Sequence, residues 1–498
     1  MQGSLRASNT VVRAAKNICD SVRGTRRLNC NVRAILKSAA VLLPFFAATA
    51  TWAQNAASAP ATQAQIAALT EQVKAARMAG DNAWVLISAA LVLLMTAPGL
   101  TLFYGGLVRR KNILGTMMQS FAMMSLVTLL WVSVGYSLVF GHGTPILGGF
   151  EHAFLHGVGL APNPDYAATI PEQSFMIYQM MFAVIAPALI TGAFAERVRF
   201  APMLVFLTTW LLVVYCPVAH MVWGVGGLLS TSGGRWPLFD FAGGTVVHIT
   251  SGIAALVCAL YLGKRTGYPK TEMPPHSLVL SFTGAGLLWF GWFGFNAGSA
   301  LGSGPLATSA FLNTHLAAAA AALSWTVVEW FLNRKPTALG AISGAVAGLA
   351  TITQASGFVQ PWSAVLIGLI AGVVCCFMVL KVKKFFGYDD SLDAFGVHGI
   401  GGTMGAILTG LLASSAINPA FGFDSTGHPK PTGLIDGNPG QFLNHLIGAG
   451  IGWIWAIVGT LALLFLVDKT MGMRMDVNDE VAGMDVALHG EEGYDTAA

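Results

Sequence analysis

Asp240-Phe-Ala-Gly-Gly-Thr-Val-Val-His248 and Asp393-Ala-Phe-Gly-Val-His398-Gly-Ile-Gly-Gly402 are the two stretches that decide how this chain folds. Each opens on an aspartate, passes through glycine and apolar residues, and carries a histidine into an otherwise uncharged run. An ionisable group at bilayer depth costs about 2.5–3.5 kcal/mol even on lenient insertion scales, so it needs a reason to be there. A lone intramembrane histidine is ordinarily a packing residue, and His220, His315 and His445 are read that way. Two histidines in matching places, five spans apart and on oppositely directed spans, point instead to an inverted repeat with its site near the repeat interface. Metal chemistry is the rival reading, but zinc or copper needs further ligands at compatible spacing, and no HxxxH, ExxH or CxxC motif accompanies the pair.

The sequence around these stretches is that of a membrane protein. Of 498 residues, 54% are hydrophobic and 10% charged, whereas soluble domains carry roughly 25% charged residues. A soluble enzyme, a disordered chain and a nucleic-acid binder are excluded on that ground. About 20 apolar residues of helix cross a bilayer core. By that measure there are eleven spans, at roughly 83–107, 113–140, 173–195, 201–226, 243–263, 276–298, 305–331, 338–357, 359–380, 394–414 and 441–467. The expected fold is an all-α integral membrane protein. The loops after spans one, three, five, seven and nine hold thirteen basic residues, and the opposite loops hold Arg235 and Lys430. Basic loops stay in the cytoplasm, which predicts an N-out, C-in topology.

Ahead of the spans, residues 1–37 carry eight basic side chains and one acid, Asp20, followed by a short apolar stretch from Ala39 to Ala50. This reads as a secretory signal peptide, residues 1–53, cleaved after about Ala53; an uncleaved first helix is the alternative. Residues 54–81 form an extracytoplasmic lead-in with a short helix near 64–78, 82–467 the membrane domain, and 468–498 a cytoplasmic acidic tail. Without residues 1–37 the charge balance turns from basic to acidic. The outer loops then hold Glu151, Asp165, Glu172, Asp240, Asp424 and Asp436 against two bases, a bias that draws cations. Cysteines fall in the leader or in spans, so no structural disulfide is implied.

A second constellation is aromatic. Gly291-Trp-Phe-Gly-Phe295-Asn-Ala-Gly-Ser299 ends span six, Trp223 ends span four, and Tyr178 and Phe182 lie in span three. Trp and Tyr at an interface are ordinarily belt residues. Glycine flanking nevertheless permits close approach, and a desolvated cation on an aromatic face is worth about 2 kcal/mol.

These strings, with Phe103-Tyr-Gly-Gly-Leu107, Ala195-Glu-Arg-Val-Arg-Phe200 and Phe395-Gly-Val-His-Gly399, strongly resemble the Amt/Mep/Rh ammonium transporters, in particular the bacterial Amt branch. The similarity runs in order from about residue 82 to the tail. It implies eleven transmembrane helices with an inverted five-helix repeat, a homotrimer with one pore per subunit, and a multi-pass location in the bacterial inner membrane. It implies transport of ammonium and methylammonium, no enzymatic activity, and no cofactor or metal. By resemblance, Trp223, Ser299 and Phe182 recruit the cation, with Asp240 shaping that site. Phe182 and Phe295 close the pore, and His248 and His398 line it. Tyr178 stands where many members have phenylalanine, which alters the polarity of the vestibule. A PII-type signal protein on the cytoplasmic face is the implied partner. The alternatives are a passive Rh-like channel for NH3 or CO2, an ammonium sensor or transceptor on the same scaffold, and a membrane enzyme using the two histidines.

Overall fold

A computed structural model of the chain describes residues 62–494. The expected leader, 1–53, and residues 54–61 of the lead-in lie outside the described residues. The chain divides into two compact units, 1–73 and 74–498. The described part of the first is helical from Gln63 onward; apart from the start of that helix, the elements below belong to the second.

Among the described residues, ten helices are long and apolar enough to cross a membrane. They are α1 (Gln63–Leu107), α2 (Arg110–Phe140), α3 (Glu172–Phe194), α4 (Phe200–Trp223), α5 (Gly244–Leu262), α6 (Leu278–Gly298), α7 (Pro305–Asn333), α9 (Pro361–Phe386), α10 (Phe395–Leu412) and α11 (Pro439–Met471). The shorter apolar helix α8 (Ala338–Ile352) stands where an eighth span is expected. Three details depart from expectation. Helix α1 runs without a break from Gln63 to Leu107, so the described lead-in is continuous with the first span instead of carrying a separate short helix near 64–78. Helix α9 runs past 380, so Lys381, Lys383 and Lys384 belong to a helix and not to a loop. A third departure is a small antiparallel hairpin, β1 (Pro162–Asn163) with β2 (Ala167–Pro171), between α2 and α3.

Large apolar side chains such as Leu129, Val279, Phe331 and Ile454 stay exposed on the helices. In water such a surface is a liability, whereas in lipid it costs nothing. Inside, glycine sets the helix spacing. A methyl on Gly252 of α5 would overlap the backbone of Gly399 in α10, and one on Gly402 would meet Gly244 O at 2.8 Å and His248 Cβ at 2.9 Å. The two histidine-bearing helices therefore cross in near backbone contact.

Six spanning helices contain a wide π turn, among them α4 (Leu211–Tyr215), α5 (Gly244–Ile249), α9 (Met378–Val382) and α10 (Phe395–Gly399). Such turns gather at functional sites, and here both histidines sit inside one.

One end of the helix bundle is held by buried ion pairs. Glu196, forced to a left-handed φ of 74°, accepts from Arg109 Nε and from Arg265 Nη1, each at 2.9 Å. Arg265 also forks onto Asp389 at 2.8 and 2.9 Å. The segments after α1, α3, α5 and α9 are thereby tied together. The tail docks at the same end. Asp485 Oδ1 accepts from Gly115 N at 2.8 Å, Asn112 Oδ1 from Met484 N at 2.8 Å, and Glu480 Oε1 from Thr266 N at 2.6 Å. Several of the basic residues counted for topology are thus structural partners as well.

Candidate functional site: a closed passage between two vestibules

At the end opposite the ion pairs, a cavity of about 180 Å³ is lined by Phe182, Trp223, Asp240 and Ser299, joined by Asp165, Tyr166 and Gln179. Helix α3 supplies Phe182, α4 ends on Trp223, and Ser299 follows the last residue of α6. Asp240 does not offer its carboxylate to the cavity as a free charge. Oδ1 accepts from the N–H groups of Gly243 and Gly244, both at 2.7 Å, and Oδ2 from Thr245 at 2.8 Å and Val246 at 3.1 Å. These donors open α5, so the aspartate caps the helix start as helix termini require. Burial pushes its carboxyl up, against these four donors. Its backbone carbonyl accepts from Trp223 Nε1 at 3.0 Å, which fixes the indole.

Tyr178 is tied to the same place. Its buried hydroxyl lies 2.9 Å from Gly294 O, 2.8 Å from Phe295 O and 3.1 Å from Ser299 Oγ. The departure noted in the sequence is thus a polar pin between α3 and the end of α6. Ser299 Oγ donates to Phe295 O at 3.0 Å, which leaves its lone pairs as the acceptor.

Below this cavity the path closes. The rings of Phe182 and Phe295, both buried, stand 4.3 Å apart between centroids and tilt by 37°. Beneath them, His248 and His398 stack at 5.2 Å and 13°. Trp292 covers His248 at 5.5 Å. The space left among Phe295, Trp292, Leu189 and the two histidines is about 10 Å³, room for about one water by the usual measure. It shares Phe103, Val346 and His398 with a larger cavity of about 350 Å³ that opens toward the ion-paired end.

The histidines divide by their hydrogen bonds. His220 uses both ring nitrogens, to Val139 O at 2.7 Å and Thr144 O at 2.9 Å. His445 does likewise, to Ala406 O at 2.7 Å and Phe239 N at 3.3 Å. His315 packs on Trp289. His248, by contrast, has no partner on either ring nitrogen, and His398 has none on Nδ1. Buried polar atoms are normally satisfied, so these stand ready for something that passes. Among the described residues no group of three or more His, Cys, Asp or Glu side chains could hold a metal.

One sequence reading is corrected. The residue matching Asp240 is Asp390 and not Asp393. Asp390 lies eight residues before its histidine, as Asp240 does, and its carboxylate accepts from Ala394 N at 3.1 Å and Phe395 N at 2.8 Å to open α10. The i, i+8 spacing was the available signal; Asp393 drew attention by being nearer. It sits at a left-handed φ of 61° and pairs with Lys383 instead.

Comparisons with known proteins place this arrangement. Residues 83–494 match the Ammonium Transporter Family. The chain is 48% identical over 415 residues to an ammonium transporter of Bacillus subtilis, covering 83% of this chain and 98% of that one. It is 44% identical over 422 residues to an ammonium transporter of Aquifex aeolicus, covering 83% and 93%. The crystal structure of Saccharomyces cerevisiae Mep2 is similar with a TM-score of 0.75 at 36% identity, covering 84% of this chain and 92% of that one. A sensor Amt protein is similar with a TM-score of 0.73 at 29% identity, covering 83% and 99%.

Proposed function

The chain belongs to the ammonium transporter family, and on that premise we propose that it recruits NH4+ at Trp223 and Ser299, removes a proton there, and conducts NH3 inward past His248 and His398. The observation that carries this reading is the close, tilted Phe182–Phe295 pair above two histidines that lack partners in a space of about 10 Å³. An intact ion could not shed its hydration there without a heavy cost, because the walls are apolar and the two histidines offer little compensation. Ammonium and potassium are similar in size and equal in charge, so discrimination falls to acceptors. Ser299 Oγ accepts one N–H, and the faces of Phe182 and Trp223 attract the rest of the cation. Deprotonation then removes the charge that the phenyl pair would reject. The proton either stays outside or follows by way of the imidazoles, and only the second course makes transport electrogenic.

The topology assigned to this reading is N-out and C-in, with an inverted five-helix repeat. The matched π turns in α4 and α9 and in α5 and α10, together with the two Asp–His pairs at equal spacing, support the repeat. The basic and then apolar start of the chain further assigns a cleaved leader, and the resemblance assigns a homotrimer in the bacterial inner membrane and a PII-type protein as the partner at the ion-paired face. A sensing role is the second reading, favoured by the likeness to the sensor Amt protein.

The test is solid-supported-membrane recording on the purified protein with ammonium and potassium pulses. The expected result is a saturable response to ammonium and methylammonium with none to potassium. A potassium current equal to the ammonium one would overturn the assignment.

A further inference from the structure

The 350 Å³ cavity at the ion-paired end contains a charge pair that the transport path does not account for. Lys383, near the end of α9, and Asp393, just ahead of α10, both line it, and so does His398. Lys383 Nζ lies 2.5 Å from Asp393 Oδ1 and 2.7 Å from Asp390 O. The pair is partly shielded, with the lysine side chain 17% exposed and the aspartate 31%. His398, on the same wall, presents a buried Nδ1 with no partner.

The chemistry of this contact is that of the substrate. A lysine head is an alkylammonium, and it is held by a carboxylate oxygen and a carbonyl oxygen, acceptors that would hold NH4+ equally well. Ammonia that has passed His398 and taken up a proton would meet this site first. We propose that Lys383 is a tethered ammonium group that keeps an inner cation subsite filled, so that protonated product is not retained at the mouth of the passage. The inference rests on the proposed transport of ammonium toward this face. With Lys383 in place, ammonium accumulated on that side does not occupy the mouth, and uptake continues against it. Without Lys383, Asp393 and the Asp390 carbonyl form a vacant site for the product. The other charged groups lining the cavity are Arg265, which is engaged by Glu196 and Asp389, and Glu272.

The experiment reconstitutes the full chain in proteoliposomes and compares ammonium-evoked uptake at equal driving force with increasing ammonium preloaded on the trans side. Wild type is expected to respond to driving force alone. Lys383→Gln is expected to show added, saturable trans-inhibition. With a Kd of about 1 mM for the vacated site, ~10 mM trans ammonium lowers the rate roughly tenfold. The double variant Lys383→Gln with Asp393→Asn removes the site's charge and returns the wild-type curve. A Lys383→Gln protein that carries ammonium yet follows the wild-type trans curve would overturn the proposal. Should that variant not assemble, the wild-type curve decides alone, because saturable trans-inhibition of wild type is incompatible with a filled subsite. Wild type that carries no ammonium at all would remove the transport reading itself, and is told apart from both by that silence.

Discussion

Asp240→Asn tests whether the cavity at Trp223 and the histidine pair are held by one carboxylate. In the wild type four backbone N–H groups converge on its two oxygens at 2.7–3.1 Å. An amide keeps one oxygen and turns the other into a donor, so two of those N–H groups lose their acceptor whichever way it rotates. They are Gly243 and Gly244 in one orientation, and Thr245 and Val246 in the other. A buried donor left unsatisfied costs about 1–3 kcal/mol, so the substitution should cost about 2–6 kcal/mol. Asp390→Asn orphans only one N–H, from Ala394 or Phe395, and should cost about 1–3 kcal/mol by the same rule. Function should follow the larger loss. The π turn that Asp240 caps carries His248, and its carbonyl holds Trp223, so ammonium-evoked current should vanish in Asp240→Asn. The assay is denaturant unfolding of both variants in mild detergent, alongside ammonium pulses on reconstituted protein. An Asp240→Asn variant as stable as wild type, or less destabilised than Asp390→Asn, would show that the start of α5 does not depend on this carboxylate.

Other expectations follow from the same geometry. Phe295→Ala removes one half of the phenyl stack, and recordings should then show a potassium current absent from wild type, because hydrated space replaces the apolar barrier. His398→Ala should abolish current in proteoliposomes while leaving NH3 flux, read as internal alkalinisation; an unchanged current would sink a relay role for the imidazoles. Acid stability should depend on Glu196, a fully buried carboxylate outside the spans. Burial works against its charge, but Arg265 and Arg109 outweigh this and hold it below the usual carboxylate range. A depressed carboxylate contributes stability above its unfolded pKa of about 4.3, and that stability is lost as pH falls through the lower, folded value. Glu196→Gln should therefore be less stable than wild type at neutral pH and converge with it as the pH falls below the usual carboxylate range, as followed by denaturant midpoints.

What the amino-acid sequence determined is whatever desolvation decides locally. A run of about 20 apolar residues must be a helix in lipid, because its backbone has no other partner there, so ten long helices and α8 arise close to where composition placed them. The same cost singled out His248 and His398, and the string resemblance named Phe182, Trp223, Asp240, Phe295 and Ser299, which lie around one cavity and the phenyl pair beneath it. What tertiary structure decided is which polar atoms are satisfied, since their partners lie far along the chain. His220 is bonded by residues 76 and 81 positions away, while His248 is bonded by none. Composition cannot separate those two histidines. Composition alone does not choose Asp390 over Asp393 either; the eight-residue spacing to the histidine pointed to Asp390, and the fold shows why, since that carboxylate meets the N–H groups opening α10 while Asp393 meets Lys383. Arg265 shows the same limit. Counted along the chain it is one more basic charge in a loop between spans, whereas in the fold it joins Glu196 to Asp389 across 69 and 124 residues of sequence. Burial of an apolar face is a property of the segment, but satisfaction of a buried charge is a property of the segments that surround it.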